Sequence, residues 1–88
     1  MEYNLSQHYK IEGTAFELKI EIEGQKFLVI FARHINGYYI CMPGQNISCE
    51  ALAPSEVNRN MLHLANAGLR SDYAMLICQA ICDYAKGE

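Results

Sequence analysis

Four cysteines are the residues with the clearest potential for chemistry. Cys41 and Cys49 are separated by seven residues, and Cys78 and Cys82 by three. Four thiolates can hold a zinc ion, but structural zinc sites usually take paired ligands two to four residues apart on a tight turn. The first pair is too widely spaced for such a turn, and the second has helical spacing. We therefore expect reduced cysteines that pack as small apolar side chains, with no metal and no cofactor.

A cysteine nucleophile would need a base oriented toward the thiol. The candidates are His8, His34 and His63, and none of them lies in a motif that fixes such a geometry. No glycine-rich loop that could stabilise an oxyanion accompanies any cysteine. The sequence therefore predicts a protein that is not an enzyme and has no catalytic residues.

Carboxylates at alternate positions are the third group that could do chemistry. Glu17, Glu21 and Glu23 share one face of a strand with Lys19. A carboxylate works as a general acid only where burial raises its pKa. An exposed strand that also carries lysine is typical of a solvated face, although such a row could also oppose a basic surface on a partner.

The elements that position these residues follow from hydrophobic periodicity. Apolar residues recur every second position from Tyr3 to about Met42 and every 3.6 positions from Ser55 onward, which indicates strands first and helices second. We predict one α+β domain over residues 1–88, a four-stranded antiparallel meander with two C-terminal helices on one face. A short fifth strand is possible at Ile47 to Glu50.

Glycine-containing pairs predict the hairpin turns. Gly13-Thr14 would pair Ile11 with Phe16, and Gly24-Gln25 would pair Ile22 with Phe27. Asn36-Gly37 fits a type I′ turn between a third strand, Lys26 to Ile35, and a fourth, Tyr38 to Met42.

Two helices are predicted after Pro54. The first runs from an N-cap at Ser55 to Ala67 and ends at Gly68, with Asn60 and His63 on its wet side. The second is capped by Ser71 and runs from Asp72 to Lys86. Its apolar stripe consists of Tyr73, Ala74, Ile77, Ile81 and Tyr84.

The third strand is apolar on both sides. If Phe27, Val29 and Phe31 face the helices, Leu28, Ile30 and Ala32 must face away from them. We name this side the second sheet face; it carries Glu17, Lys19, Glu21, Leu28, Ile30, Ala32, Tyr39 and Cys41. Either the N-terminal segment or the loop from Pro43 to Pro54 covers it, or it meets another protein chain. The predicted protein-binding residues are Glu17, Lys19, Glu21, Leu28, Ile30, His34 and Tyr39.

Composition excludes several classes of protein. A 51% hydrophobic fraction excludes intrinsic disorder, and no apolar run approaches the length of a membrane span. Seven basic residues and a net charge of −3 disfavour direct nucleic-acid binding through phosphate contacts. The N-terminus lacks the pattern of a secretory signal, so we expect a cytoplasmic protein.

The segment Tyr38-Tyr39-Ile40-Cys41-Met42-Pro43, followed by Ile47 and Cys49-Glu50-Ala51-Leu52, resembles small uncharacterised proteins of Firmicute plasmids, phages and conjugative elements. The resemblance covers about the last half of the chain and carries no catalytic residues. It implies a genomic setting in which very small acidic proteins often inhibit host defence systems, including CRISPR effectors.

The sequence therefore favours a non-enzymatic protein-binding module, and in its sharper form an anti-CRISPR-like inhibitor. Its partner would be another protein or a second copy bound at the second sheet face. The alternative is a nucleic-acid-binding regulator, since Gly68-Leu69-Arg70 is a turn of helix-turn-helix length. Asp72 and Asp83 on the second helix would be repelled by phosphates. A small zinc- or thiol-dependent protein is the remaining alternative.

Overall fold

An antiparallel sheet precedes two helices along the chain. The computed structural model describes the backbone of residues 3–11, 15–34 and 37–87, and the side chains of residues 15–33 and 37–87. The strands are β1 (Tyr3–Ile11), β2 (Ala15–Ile22), β3 (Gln25–His34), β4 (Gly37–Met42) and β5 (Ile47–Ala51), in the spatial order 1-2-3-4-5. The helices are α1 (Val57–Asn66) and α2 (Ser71–Gly87). The predicted α+β meander with two C-terminal helices is confirmed, and the fifth strand is present.

The core lies between one face of the sheet and the helices. Alternate residues of β2, from Phe16 to Ile22, are buried, as the period of two predicts. Aromatic rings link the two layers: the centroids of Phe16 and Tyr84 lie 4.6 Å apart, and those of Phe27 and Tyr73 lie 5.5 Å apart. The core also contains Leu18, Ile20, Val29, Phe31, Ile40, Met42, Leu64, Ala74, Ile77, Cys78, Ala80 and Ile81.

The turn between β2 and β3 differs from the prediction by one position. Glu23 and Gly24 form it, with φ angles of 53° and 81°, whereas Gly24-Gln25 was expected. Ile22 therefore pairs with Gln25 rather than with Phe27. This register sets Phe16 opposite Phe31, and their rings stack at 5.3 Å; the predicted register would have set Phe16 opposite Arg33. The ring pair offsets the cost of a left-handed glutamate.

The other two hairpins also differ in register. Phe16 pairs with Lys10 rather than with Ile11, because three residues instead of two separate β1 from β2. The predicted turn residues Gly13 and Thr14 lie outside the described residues. β3 ends at His34, which pairs with Gly37, so Gly37 belongs to β4 rather than to the turn. Asn36 also lies outside the described part of the chain.

Helix α1 is shorter than predicted. Ser55 is not its N-cap: Pro54 and Ser55 form a turn in which the Glu56 amide donates to the Ala53 carbonyl at 2.9 Å, and the helix starts at Val57.

The C-terminal end of α1 follows the prediction. Gly68 has a φ of 112°, and the Leu69 amide donates to the Leu64 carbonyl at 3.1 Å. This is a Schellman motif, for which glycine is favoured because it adopts positive φ without strain.

Helix α2 is the central element of the helical layer. Its buried residues include the predicted stripe positions Tyr73, Ala74, Ile77 and Ile81, together with Cys78, Ala80 and Cys82. Asp72 lies in its first turn and Lys86 in its last, as suits the helix dipole. Within the described residues, neither helix combines the length and apolarity needed to cross a bilayer.

Candidate functional site

The second sheet face is built from alternate residues of three central strands. Glu17 pairs with Ile30, and Ile30 pairs in turn with Cys41, so the three side chains form a row across β2, β3 and β4. One row further along, Lys19 pairs with Leu28. The column on β3 is apolar and the column on β2 is charged. This arrangement sets a charged column directly beside an apolar one, inside a sheet whose edge strand on that side is β1.

Of the two segments that were one alternative for covering this face, large parts are edge strands, and Pro43–Gln45 of the loop forms a 3-10 turn that contacts β3. Residues 3–11 form β1 at one edge of the sheet, and residues 47–51 form β5 at the other. The helices pack on the opposite side, so the described part of the chain places no helix on the second sheet face. Leu28, Ile30, Ala32, Tyr39 and Cys41 are each half-buried.

The predicted binding residues are brought together with one exception. Glu17 and Glu21 are half-buried and Lys19 is exposed, all on the same side of β2. Tyr39 lies opposite Ala32 on the neighbouring strand. His34 lies at the end of β3 by its backbone, and its side chain is outside the described residues.

The register adds residues that the sequence prediction omitted. Lys26 pairs with Glu21, Ser48 with Cys41, and Glu50 with Tyr39. Ser48 and Glu50 could be assigned to this face only once β5 was in register, because a one-residue slip would turn both away. The face therefore extends from β2 to β5 and carries carboxylates and ammonium groups around its apolar residues.

The edge of the sheet at β5 is closed by side chains of α1. Asn60 Oδ1 accepts from the Leu52 amide at 2.7 Å, and Asn60 Nδ2 donates to the carbonyls of Leu52 and Ala53 at 3.3 and 3.2 Å. His63 Nδ1 lies 2.7 Å from the Glu50 carbonyl. Asn60 was predicted on the wet side of α1, but it is 1% exposed because it pairs with this backbone.

A polar cluster joins the β2–β3 turn to the start of α2. The Tyr73 hydroxyl donates to Glu23 Oε1 at 3.0 Å and accepts from Arg70 Nη1 at 3.1 Å. The Arg70 guanidinium lies 4.2 Å from the Tyr73 ring centroid and contacts Asp72 Oδ2 at 2.6 Å. The hydrogen bond to Glu23, and then burial, raise the pKa of Tyr73. Every one of these polar groups has an intrachain partner, so the cluster acts as a structural clamp.

The cysteines are all free thiols. Burial, and to a smaller extent the nearby Cys49, raise the pKa of Cys78 to about 12, and burial also raises the pKa of Cys49. Metal ligation and nucleophilic attack both need a thiolate, which these environments disfavour. Among the described side chains, no group of three or more potential ligands could hold a metal ion.

Comparison with known proteins places the chain in a family. No match was found among curated proteins or among solved structures. A family model described as a family of unknown function (DUF6618) matches residues 5–87, which include every described strand and helix except the first two residues of β1. The chain therefore belongs to DUF6618, a family of unknown function.

Proposed function

We propose that the protein is a non-enzymatic, cytoplasmic protein-binding module that uses the second sheet face as its contact surface. One observation carries this proposal: β3 is apolar on both sides, while residues 3–11 and 47–51, which belong to the segments that could have covered its outer side, are edge strands. Apolar residues with charged residues beside them are found together at protein interfaces. The four free thiols suit a reducing compartment.

The sharper form of the proposal is an inhibitor encoded on a mobile element that blocks a host defence system such as a CRISPR effector. Its support is the resemblance of residues 38–52 to proteins of plasmids and phages. Such an inhibitor would act by occupying a surface of its target. If the second sheet face is closed by self-association, the exposed side of α1 around Arg59 and His63 is the next surface available.

The alternative of a nucleic-acid-binding regulator has less support. Seven residues of α2 are buried, among them Tyr73, Ile77 and Ile81, so this helix has only a narrow side with which to enter a groove. Asp83 is exposed on that helix and would repel phosphate groups.

The contact surface is tested with a matched pair of variants. Ile30→Lys places a charge at the centre of the second sheet face, and Leu62→Lys places the same charge at a 54% exposed position on α1. We expect Ile30→Lys to abolish binding of a second copy or of a captured partner, and Leu62→Lys to preserve it. Circular dichroism must show that both variants are folded. Equal binding by both folded variants would contradict the proposal.

The inhibitor form is tested in cells that carry an active CRISPR effector and a targeted plasmid. Expression of the protein should protect the plasmid from loss. A folded variant that loses its binding should give no protection. If the plasmid is lost at the same rate with and without the protein for every effector type, the inhibitor form is contradicted. The binding proposal is then tested only by the pair Ile30→Lys and Leu62→Lys.

A further inference from the structure

We infer that the occupant of the second sheet face is a second copy of this chain, stacked face to face with its strands antiparallel to those of the first. The inference rests on the proposed function, because it names the partner for the same surface. Its basis is a four-residue block at the centre of the face. Glu17 pairs with Ile30, and two residues along the strands Lys19 pairs with Leu28.

This block is complementary to itself. Consider a two-fold axis that lies in the plane of the interface, runs perpendicular to the strands and passes midway between the pairs Glu17–Ile30 and Lys19–Leu28. Rotation about this axis sets Glu17 of one copy opposite Lys19 of the other. Symmetry repeats the contact, because an isologous interface uses each contact twice. The same rotation sets Ile30 opposite Leu28 of the second copy. Two ion pairs between the β2 strands then lie beside two apolar contacts between the β3 strands.

Other symmetric stackings lack this match. If the axis passed through Glu17 and Ile30, Glu17 would face its own copy, and like charges in contact are unfavourable. If the axis ran along β3, Lys26 would face Lys26 of the second copy, and Glu17 would face Cys41 of the second copy. If the axis lay midway between Lys19 and Glu21, these two charges would also match, but Leu28 would face Lys26 of the second copy. The charges of β2 and the apolar residues of β3 together therefore select one orientation.

The dimensions of the face suit a reversible dimer. Strands spaced about 4.8 Å apart and residues rising about 3.3 Å make a face of roughly 24 by 20 Å, or about 500 Å² per copy. Two copies would bury about 1,000 Å², which is below the roughly 1,200 Å² of stable complexes and in the range of weak, transient ones. Sheets that pack face to face lie about 10 Å apart, within reach of opposed glutamate and lysine side chains.

The dimer also explains why charged residues lie beside the apolar column. Glu17 and Lys19 lie next to the apolar column, so stacking would partly remove them from water. A charge that loses water is retained at an interface where it meets an opposite charge.

Charge exchange between Glu17 and Lys19 tests this arrangement. Sedimentation of the wild-type protein should show a reversible dimer. Glu17→Lys and Lys19→Glu should each weaken self-association by about tenfold or more, because each creates two like-charge contacts. An equimolar mixture of the two variants should form a one-to-one dimer, and the double variant E17K/K19E should dimerise again.

Matched controls lie on the helical layer. Glu56 and Arg59 form an exposed ion pair on α1, so Glu56→Lys and Arg59→Glu make the same charge changes away from the face. Both should dimerise like the wild type. Circular dichroism establishes that every variant is folded.

Three outcomes would overturn the inference: a wild-type protein that stays monomeric, single variants that dimerise normally, or a mixture and double variant that fail to recover. If the wild-type protein is monomeric but binds another protein that Ile30→Lys does not bind, the second copy is excluded as the occupant, and the second sheet face remains the proposed contact surface. A dimer that persists in Ile30→Lys would overturn the proposed contact surface as well.

Discussion

The side chain of Asn60 takes the place of a strand partner for the residues that follow β5. Its amide makes three hydrogen bonds to the backbone of Leu52 and Ala53. Asn60→Ala should lower the free energy of unfolding by about 2 to 4 kcal/mol, because several partly buried backbone groups would lose their partners. Urea denaturation measures this. The exposed Asn58→Ala on the same helix is the control, and a cost as large there would contradict the assignment.

Cys78 should be nearly inert to alkylation in the folded protein. Its pKa of about 12 against an ordinary value of 9.0 reduces the thiolate fraction about 1,000-fold near pH 8. Mass spectrometry of iodoacetamide-treated native and urea-unfolded protein tests this. Native alkylation of Cys78 as fast as in the unfolded chain would contradict the buried environment.

The raised pKa of Cys78 makes the stability of the folded protein depend on pH. The folded state holds the Cys78 proton more tightly than the unfolded chain does, so stability should fall as pH rises from about 9 toward 12. Cys78→Ala should flatten this alkaline slope.

The prediction that the cysteines pack as thiols without metal is tested by metal analysis of the purified protein. Because zinc would bind thiolates, a stoichiometric amount of zinc would overturn this prediction.

At the scale of elements, the clamp between the β2–β3 turn and α2 depends on the hydroxyl of Tyr73. Tyr73→Phe keeps the ring in the core but removes the donor to Glu23 and the acceptor for Arg70. We expect lower stability and no change in fold. A double-mutant cycle with Glu23→Ala should show less than additive loss, whereas fully additive losses would contradict the contact.

Ultraviolet titration provides an independent measurement of this clamp. The pKa of Tyr73 is raised because its hydroxyl donates to the Glu23 carboxylate, with burial as the second cause. Glu23→Gln removes that negative charge and should lower the Tyr73 pKa toward its ordinary value. An unchanged titration would show that the hydrogen bond does not form in solution.

At the scale of the whole molecule, the two faces of the sheet should respond differently to truncation. Leu18→Ala should cost roughly 2 to 5 kcal/mol, because it opens a cavity between the sheet and the helices. Glu17→Ala, one residue away on the second sheet face, should change stability by about 0.5 kcal/mol or less. Urea denaturation of both variants tests the arrangement, and similar costs would contradict the assignment of the faces.

Self-association would also decide which surfaces the molecule presents. In a face-to-face dimer the helical layers point outward on both sides. α1 would then offer its exposed Leu62, Arg59 and half-buried His63 to further partners. His63 contributes to the edge of the sheet through Glu50, so substitutions at Arg59 and Leu62 probe this layer with less risk to the fold.

For β2 and β3, the sequence by itself determined which residues face the core and which face away. It did not do so for β1, where Phe16 pairs with Lys10 rather than with Ile11 and the one-residue slip changes which positions share a face. Along β2 and β3 the side chains alternate with period two. Moving the turn by one residue shifts the pairing register by two residues, so every side chain stays on the same face. Glu17, Lys19, Leu28 and Ile30 were therefore placed on one surface correctly, although their predicted neighbours were wrong. The α+β class and both helices also follow from periodicity, which is local.

Only the tertiary structure decided the exact pairing, the edges and the role of Asn60. Both Glu23-Gly24 and Gly24-Gln25 can form a turn, and the choice depends on Phe16 stacking on Phe31 and on Glu23 meeting Tyr73, which lies fifty residues away. Asn60 has the sequence context of an exposed helical residue. Its burial follows from where the chain after β5 passes α1, because hydrogen bonds between distant segments leave no periodic pattern in the sequence.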